Sequence, residues 1–145
     1  AILEQNKKYE NITTSEKRDL NRRWYSEIRK SQKTLIKKTL DNDVSKFLKY
    51  IQDQSEGLYT ELIIVDEHGI NVGQSTISRD FWQENTEKWK NTFGSKSYAA
   101  YVGDLKYDDT TGFFQAEVSF MIVHEDKPIG IAYAGVDIEQ YDEDL

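Results

Sequence analysis

The sequence predicts an α+β domain, in which helices pack on one face of an antiparallel sheet. The first 56 residues contain no Pro or Gly and carry apolar side chains at helical intervals. After Gly57 the pattern changes to segments rich in β-forming residues. Short turn sequences separate these segments, and strands joined by short turns pair antiparallel. We therefore expect helices first and a sheet after them.

The helical part is predicted to contain one long helix and one shorter helix. Thr13 and Glu16 have the spacing of a capping box, which marks a helix start. From residue 13 to residue 40, apolar side chains recur at helical spacing and leave Lys and Arg on the other face. Asp43 is expected to cap a second helix, which stops at Gly57. The expectation is thus a long amphipathic helix over residues 13–40.

Five strands are predicted after the helices. The first two, residues 58–65 and 70–74, form a hairpin around the turn at residues 66–69. A helical or irregular crossover follows at residues 78–93. The other three strands are residues 98–107, 113–124 and 129–139, with turn sequences at residues 108–112 and 125–128.

Composition excludes several kinds of chemistry. The chain has 145 residues and no Cys, which rules out disulfides, thiolate nucleophiles and iron–sulfur clusters. Its two His residues are not at metal-ligand spacing, and it has no Gly-rich phosphate loop or nucleophile elbow. We expect no metal, no cofactor and no enzymatic activity, so the 18 aromatic residues are assigned to a core and to recognition.

Charge is unevenly distributed along the chain. Residues 1–40 carry 11 basic and 5 acidic side chains, a net charge of +6, whereas residues 41–145 carry 8 and 21, a net charge of −13. An acidic body disfavours nucleic-acid binding, which depends on neutralising phosphates. The basic part is interpreted as a solvated helix face, with contact to anionic lipid headgroups as the alternative.

Six segments, taken in order, form a recognisable set: residues 57–62, 65–75, 80–84, 87–89, 128–130 and 135–139. Arg23 and Trp24 on the long helix belong to the same set, which therefore covers nearly the whole chain. Together these segments resemble the single-Cache family of extracytoplasmic PAS-like sensor domains.

The resemblance implies a five-stranded antiparallel PAS-like sheet with a long N-terminal helix packed behind it. It also implies a ligand pocket on the other face, covered by residues 76–97. The expected organisation is a single domain: an N-terminal helical segment at residues 1–56, a sensor core at 57–139 and an acidic tail at 140–145.

Arg79 and Trp82 in the crossover are the first candidate site residues. An Arg beside indole rings can hold a small carboxylate in a water-excluded place. The alternative is that Arg79 pairs with Asp80 at the surface and the aromatic residues fill the core. Trp24 and Trp89 are interpreted as packing residues.

Four further candidates come from the strands. Alternation places Tyr133 and Asp137 on one face of the last strand and small residues on the other. An acidic residue facing the pocket would suit an amine. Tyr101 and Ser119 are candidates from their positions alone.

The resulting hypothesis is a receptor domain on the periplasmic side of the inner membrane that binds a small solute: a carboxylate, an amino acid or an amine. Such domains belong to histidine kinases, chemoreceptors and cyclic-dinucleotide enzymes that are tethered to the membrane. A homodimer through the N-terminal helix is expected. Because the chain begins without Met, we expect it to be a segment of a longer protein. The alternative is a free periplasmic protein that acts through a protein partner.

Overall fold

The computed structural model describes residues 1–109 and 112–138, so the predicted acidic tail and residue 139 lie outside the described residues. Helices come first in the chain and most of the sheet follows, as predicted. The helices are α1 (Ile2–Lys8), α2 (Thr14–Ile28), α3 (Thr34–Leu40), α4 (Asp43–Gln54) and α5 (Glu87–Lys90). The strands are β1 (Tyr59–Asp66), β2 (Asn71–Gln74), β3 (Tyr101–Val102), β4 (Lys106–Asp108), β5 (Phe113–His124) and β6 (Lys127–Asp137).

The strands form one antiparallel sheet in the order β2-β1-β6-β5-β3, and β4 also pairs with β5. The predicted third strand is divided into β3 and β4, which lie along the same partner strand, so the sheet has five positions and six strands. The PAS-like α+β fold class is therefore confirmed.

The prediction of one unbroken helix over residues 13–40 is wrong, because α2 and α3 are separate helices. Six consecutive polar residues, 29–34, follow Ile28, so nothing apolar holds that stretch against the core. The break is stabilised by Glu27, whose Oε1 accepts hydrogen bonds from the backbone N–H groups of Leu35 (2.8 Å) and Ile36 (3.1 Å). The capping box of Thr13 and Glu16 is confirmed. The cap of α4 is Asn42 and not the predicted Asp43, which is the first residue of the helix.

Two apolar clusters stabilise the domain. Trp24 of α2 is fully buried and stacks on Phe81, with ring centroids 5.0 Å apart, so its interpretation as a packing residue is confirmed. Ile36 and Ile70 complete this helix-side cluster. The second, sheet-side cluster contains Trp89, as predicted, with these neighbours: Ile63, Val65, Met121, Ile131 and Tyr133.

Helix α1 is attached to one end of the sheet by polar side chains. Gln5 Nε2 donates to Oδ2 of Asp66 at 2.8 Å, and Asn6 Nδ2 donates to the carbonyl of Ile129 at 2.9 Å. These bonds connect α1 to β1 and β6. Within the described residues, no helix is both long and apolar enough to cross a membrane.

Candidate functional site

A cavity of about 320 Å³ lies between the sheet and the cover segment, residues 76–97. The sheet supplies its floor, and the cover and residues 106–109 supply its walls. The floor residues are Glu61, Ile63, Gln115, Glu117 and Tyr133. The wall residues are Ser78, Arg79, Asp80, Gln83, Asn85, Thr86, Glu87, Lys88, Lys106, Tyr107 and Asp109.

Strand register explains why the floor is polar at one end. Residues paired across antiparallel strands point to the same face, so each row of partners forms a strip across the sheet. Three successive rows are Val65–Ile131–Met121, Ile63–Tyr133–Ser119 and Glu61–Gly135–Glu117. The first row lies in the apolar cluster, and the last places two carboxylates on either side of a glycine.

Gly135 leaves room for a hydrogen-bonded chain across the floor. A Cβ atom at this position would lie 2.4 Å from Oε1 of Gln115, closer than such atoms approach. Gln115 accepts a hydrogen bond from the Thr60 hydroxyl and donates through Nε2 to the Tyr133 hydroxyl at 3.3 Å. The Tyr133 hydroxyl donates to Oε1 of Glu117 at 3.5 Å. This chain orders the floor side chains.

Helix α5 attaches the cover to the floor. The Ser119 hydroxyl donates to the carbonyl of Lys88 at 3.0 Å, and the Lys88 ammonium lies 4.6 Å from the centre of the Tyr133 ring. An ammonium over an aromatic face is attracted by the ring quadrupole. The Lys88 side chain therefore lies against the floor that it covers.

A buried polar network forms the base of the cover. Gln83 Nε2 donates to Oδ1 of Asn71 and to the carbonyl of Asp80, both at 3.0 Å. Asn71 in turn donates to Oε1 of Gln74 at 2.9 Å, which fixes the orientation of all three amides. Oε1 of Gln83 is buried and has no hydrogen-bond partner among the described residues.

Two of the six predicted site residues line the cavity. Tyr133 is buried in the floor, and Arg79 lies in the wall with 69% of its side chain exposed. The Arg79 Nε atom is 3.7 Å from a carboxylate oxygen of Asp80, the surface pair that the alternative reading describes. Arg79 is thus a mouth residue and not a fully enclosed anion site.

Trp82 does not line the cavity, because it packs against the helix-side cluster. Its indole N–H donates to Oε1 of Glu84 at 3.0 Å, and its backbone N–H donates to Asn21 of α2 at 3.1 Å. The irregular backbone of the cover directs Arg79 and Trp82 to different sides.

Ser119, Tyr101 and Asp137 are also not among the cavity-lining residues. Ser119 is fully buried and is used in attaching α5. Tyr101 pairs with Ser119 at the edge strand β3, and Asp137 pairs with Gln115 one row beyond the carboxylates.

Sequence reasoning missed Glu61, Gln115 and Glu117. The signal was available, because alternation along residues 113–124 places Gln115 and Glu117 on the face that Ser119 and Tyr133 share. Within the described residues, no group of three or more His, Asp or Glu side chains is arranged to hold a metal ion.

No family model and no curated protein matches the chain. Solved structures do match it. The E. coli DcuS sensor domain superposes with a TM-score of 0.53 at 14% identity, over 89% of this chain and 91% of that one. The ligand-binding domain of the Campylobacter jejuni chemoreceptor Tlp3, in complex with L-valine, gives 0.54 at 14% identity, over 82% and 47%. The V. cholerae histidine kinase DctB sensor domain gives 0.52 at 12% identity, over 70% and 39%.

These similarities identify the fold. The chain has the fold of these sensor and ligand-binding domains, a PAS-like α+β fold as the sequence resemblance predicts. Each of these three structures is described as a sensor domain or a ligand-binding domain. The chain spans about two-fifths to one-half of the DctB and Tlp3 structures, and nearly all of the DcuS sensor domain.

Proposed function

We propose that this chain is the ligand-binding part of an extracytoplasmic receptor and that it binds a small polar solute in the cavity under the cover. The observation that carries the proposal is a polar cavity between sheet and cover in a fold that sensor domains share. The complex of a similar chemoreceptor domain with L-valine supports a solute of this size. Arg79 and Tyr133 are the two sequence-predicted residues retained as contacts.

The cover is the element that would respond to the solute. It is attached to the floor through Lys88 and Ser119 and to α2 through Asn21 and Trp24, whose indole N–H donates to the Ser78 carbonyl at 2.8 Å. A solute that binds one position of the cover better than another shifts the population toward it. The shift would be passed to the N-terminal helices through these bonds.

Blocking the cavity tests the proposal. Asn85 lines the cavity and is exposed, so Asn85→Trp would fill the mouth without disturbing the core. Asn91 is an exposed residue of the same cover that does not line the cavity, so Asn91→Trp is the matched control. Thermal-shift screening with carboxylates, amino acids and amines should give stabilising solutes for the control but not for Asn85→Trp.

Hits that stabilise both variants equally would contradict the cavity as the site. A panel without any stabilising solute would contradict the sensing role and favour the alternative, a periplasmic protein that acts through a protein partner. The complete gene separates these two functions further. A receptor needs apolar segments of about 20 residues to cross the membrane.

We also propose that two copies pair through the N-terminal helices in the membrane-tethered receptor. The surface that supports this is the outer side of α2, where Tyr25 is 48% exposed. Tyr25→Asp should lower the sedimentation-derived mass, whereas Tyr50→Asp, on the exposed side of α4, should not. If Phe120→Asp on the sheet dissociates the protein and Tyr25→Asp does not, the interface is on the sheet.

A further inference from the structure

We infer that the cavity selects a cationic, amine-bearing solute whose ammonium group lies between Glu61 and Glu117. The inference rests on the proposed function, since it names the class of solute that the same cavity takes. It decides among carboxylate, amino acid and amine, which the sequence leaves open.

The first observation is the balance of charge around the cavity. Five acidic residues line it, Glu61, Asp80, Glu87, Asp109 and Glu117, against the three basic residues Arg79, Lys88 and Lys106. The most enclosed of these charges is Glu61, which is 5% exposed; Glu117 and Lys88 are half-buried, and Arg79 and Lys106 are exposed. An enclosed carboxylate makes the interior favourable for positive charge, since field strength rises as water is removed.

The second observation is the geometry of the polar row. Glu61 and Glu117 lie on the strands that flank β6, on either side of Gly135. Neighbouring strands are about 4.8 Å apart, so the two backbones are roughly 10 Å apart. That separation allows both side chains to approach one group held above the middle strand.

The third observation is independent of the carboxylates. Gln83 is 1% exposed and lines the cavity, and the donors of its amide nitrogen are used by Asn71 and Asp80. The side-chain oxygen Oε1 is therefore the remaining hydrogen-bonding atom of the Gln83 amide, and it has no partner among the described residues. A buried acceptor of this kind is satisfied by a solute N–H group and not by a carboxylate.

Lys88 shows that the floor accepts an ammonium group. Its Nζ atom lies 4.6 Å from the centre of the Tyr133 ring, beside the row that contains Glu117. A cationic solute would be repelled by this tethered ammonium, whereas an anionic solute would be attracted to it. Substitutions of Lys88 and Glu117 should therefore have opposite effects on a cationic solute.

The test measures the binding of three probes by calorimetry: 1,4-diaminobutane, succinate and L-valine. We expect 1,4-diaminobutane to bind, with an affinity that falls at least about tenfold in Glu117→Gln and rises several-fold in Lys88→Met. Its affinity should also fall as NaCl is added, because salt screens the carboxylates. Glu61→Gln should weaken binding as Glu117→Gln does.

Matched controls distinguish the effect of a charge inside the cavity from the effect of the net charge of the protein. Glu125→Gln removes one acidic charge at an exposed turn, and Lys90→Met removes one basic charge from α5 outside the cavity lining. Neither should change the affinity for 1,4-diaminobutane by more than about twofold, the size of a screened surface effect. If Glu61→Gln fails to fold, Glu117→Gln and Lys88→Met still show whether the cavity selects a positive or a negative charge on the solute.

Other outcomes overturn the inference in distinguishable ways. Binding of succinate that is weakened by Lys88→Met and strengthened by Glu117→Gln would show an anion site, and the proposed function would stand. L-valine binding that both substitutions weaken, without binding of the diamine, would show a zwitterion site. If no probe binds the unsubstituted protein while the thermal-shift panel yields another stabilising solute, the inference fails and the proposed function stands. If the panel also yields none, both fail.

Discussion

Arg79 and Trp82 are three residues apart, yet they belong to different parts of the molecule. Arg79 is at the cavity mouth, whereas Trp82 packs on the helix-side cluster and bonds to Glu84. A large side chain in that position stabilises the fold without touching the solute.

Trp82→Ala should therefore lower the free energy of unfolding by about 2–3 kcal/mol, somewhat below the loss for a fully buried Trp. Urea unfolding measures this change, and the solute affinity of the folded variant should stay unchanged. Arg79→Ala, an exposed substitution, should change stability by less than about 0.5 kcal/mol. A solute affinity that falls in Trp82→Ala with stability intact would place the indole in the site.

A comparison of Tyr133 with Trp82 shows when the direction of a single side chain can be predicted from sequence. Tyr133 lies on a regular strand, where alternation alone fixes the face to which its side chain points. Trp82 is held by a single β-bridge to Ile70 and by its bond to Asn21, so its side-chain direction depends on residues distant in sequence and not on a strand of its own. Periodicity contains no information about those bonds.

At the scale of elements, α3 depends on a carboxylate from the preceding helix. Its own N-cap residue, Lys33, makes no side-chain cap, and Glu27 of α2 accepts from the first N–H groups instead. Arg23 Nε donates to the same carboxylate at 3.0 Å. The capping box of α2 was visible in sequence because its partners are three residues apart; Glu27 and Ile36 are nine apart, beyond a local motif.

Glu27→Gln should lower the free energy of unfolding by about 1–3 kcal/mol, the range for hydrogen bonds to a charged group. Burial raises the pKa of Glu27, but the bonds from Ile36, Arg23 and Leu35 outweigh it and the pKa is lowered. Its contribution is present above the pKa of the unfolded chain and is lost as pH falls through the folded pKa. Denaturation measured between pH 2 and pH 7 should show that the free energy of unfolding falls less in acid for the variant than for the unsubstituted protein. An equal fall in the two proteins would contradict this role of the Glu27 carboxylate.

The turn between β5 and β6 is a second element whose type the sequence did not specify. Glu125 and Asp126 have φ angles of 50° and 62°, so a two-residue turn replaces the four-residue turn predicted at residues 125–128. Positive φ at both positions is typical of a type I′ turn, which favours Asn-Gly.

Asp126→Gly should raise the free energy of unfolding by about 1 kcal/mol, because glycine adopts this conformation without steric strain. Thermal unfolding measures the change. Asp104→Gly serves as the control: it introduces glycine at an exposed residue without a positive φ and should stabilise nothing. A melting temperature that falls in both variants would contradict the turn assignment.

At the scale of the whole molecule, the order of elements followed from local patterns but the arrangement of strands did not. The last strand, β6, inserts between β1 and β5, so Glu61 and Glu117 become neighbours of Gly135 from residues far apart in sequence. Turn sequences specify only the hairpins between consecutive strands: β1–β2, β4–β5 and β5–β6. The resemblance to a known family implies a five-stranded antiparallel sheet but was not used to predict the strand order, so the pairing of β6 with β1, which brings Glu61 into the polar row, was not predicted.

The same strand β1 joins the cavity to α1. Glu61 is in the floor, and at the other end of β1 the buried Asp66 accepts from Gln5 of α1 and, through Oδ1, from the backbone N–H groups of His68 (2.8 Å) and Ile70 (3.0 Å). Asn at position 66 can keep the backbone bonds but presents an NH₂ group to the Gln5 amide. The attachment of α1 should then be lost while the sheet remains folded.

In Asp66→Asn, hydrogen exchange should accelerate roughly tenfold to a hundredfold in α1 and little in β5 and β6, as expected for the loss of one bond to a charged group. Gln5→Ala should give the same pattern. Burial raises the pKa of Asp66, although the hydrogen bonds from Gln5, Ile70 and His68 lower it in part. The contribution of Asp66 to the free energy of unfolding is therefore largest in acid and is lost as pH rises through its folded-state pKa. Asp66→Asn should remove this decline of stability with pH. If hydrogen exchange instead accelerated equally in α1 and throughout the sheet, the prediction would be wrong, because α1 would then unfold only together with the whole domain.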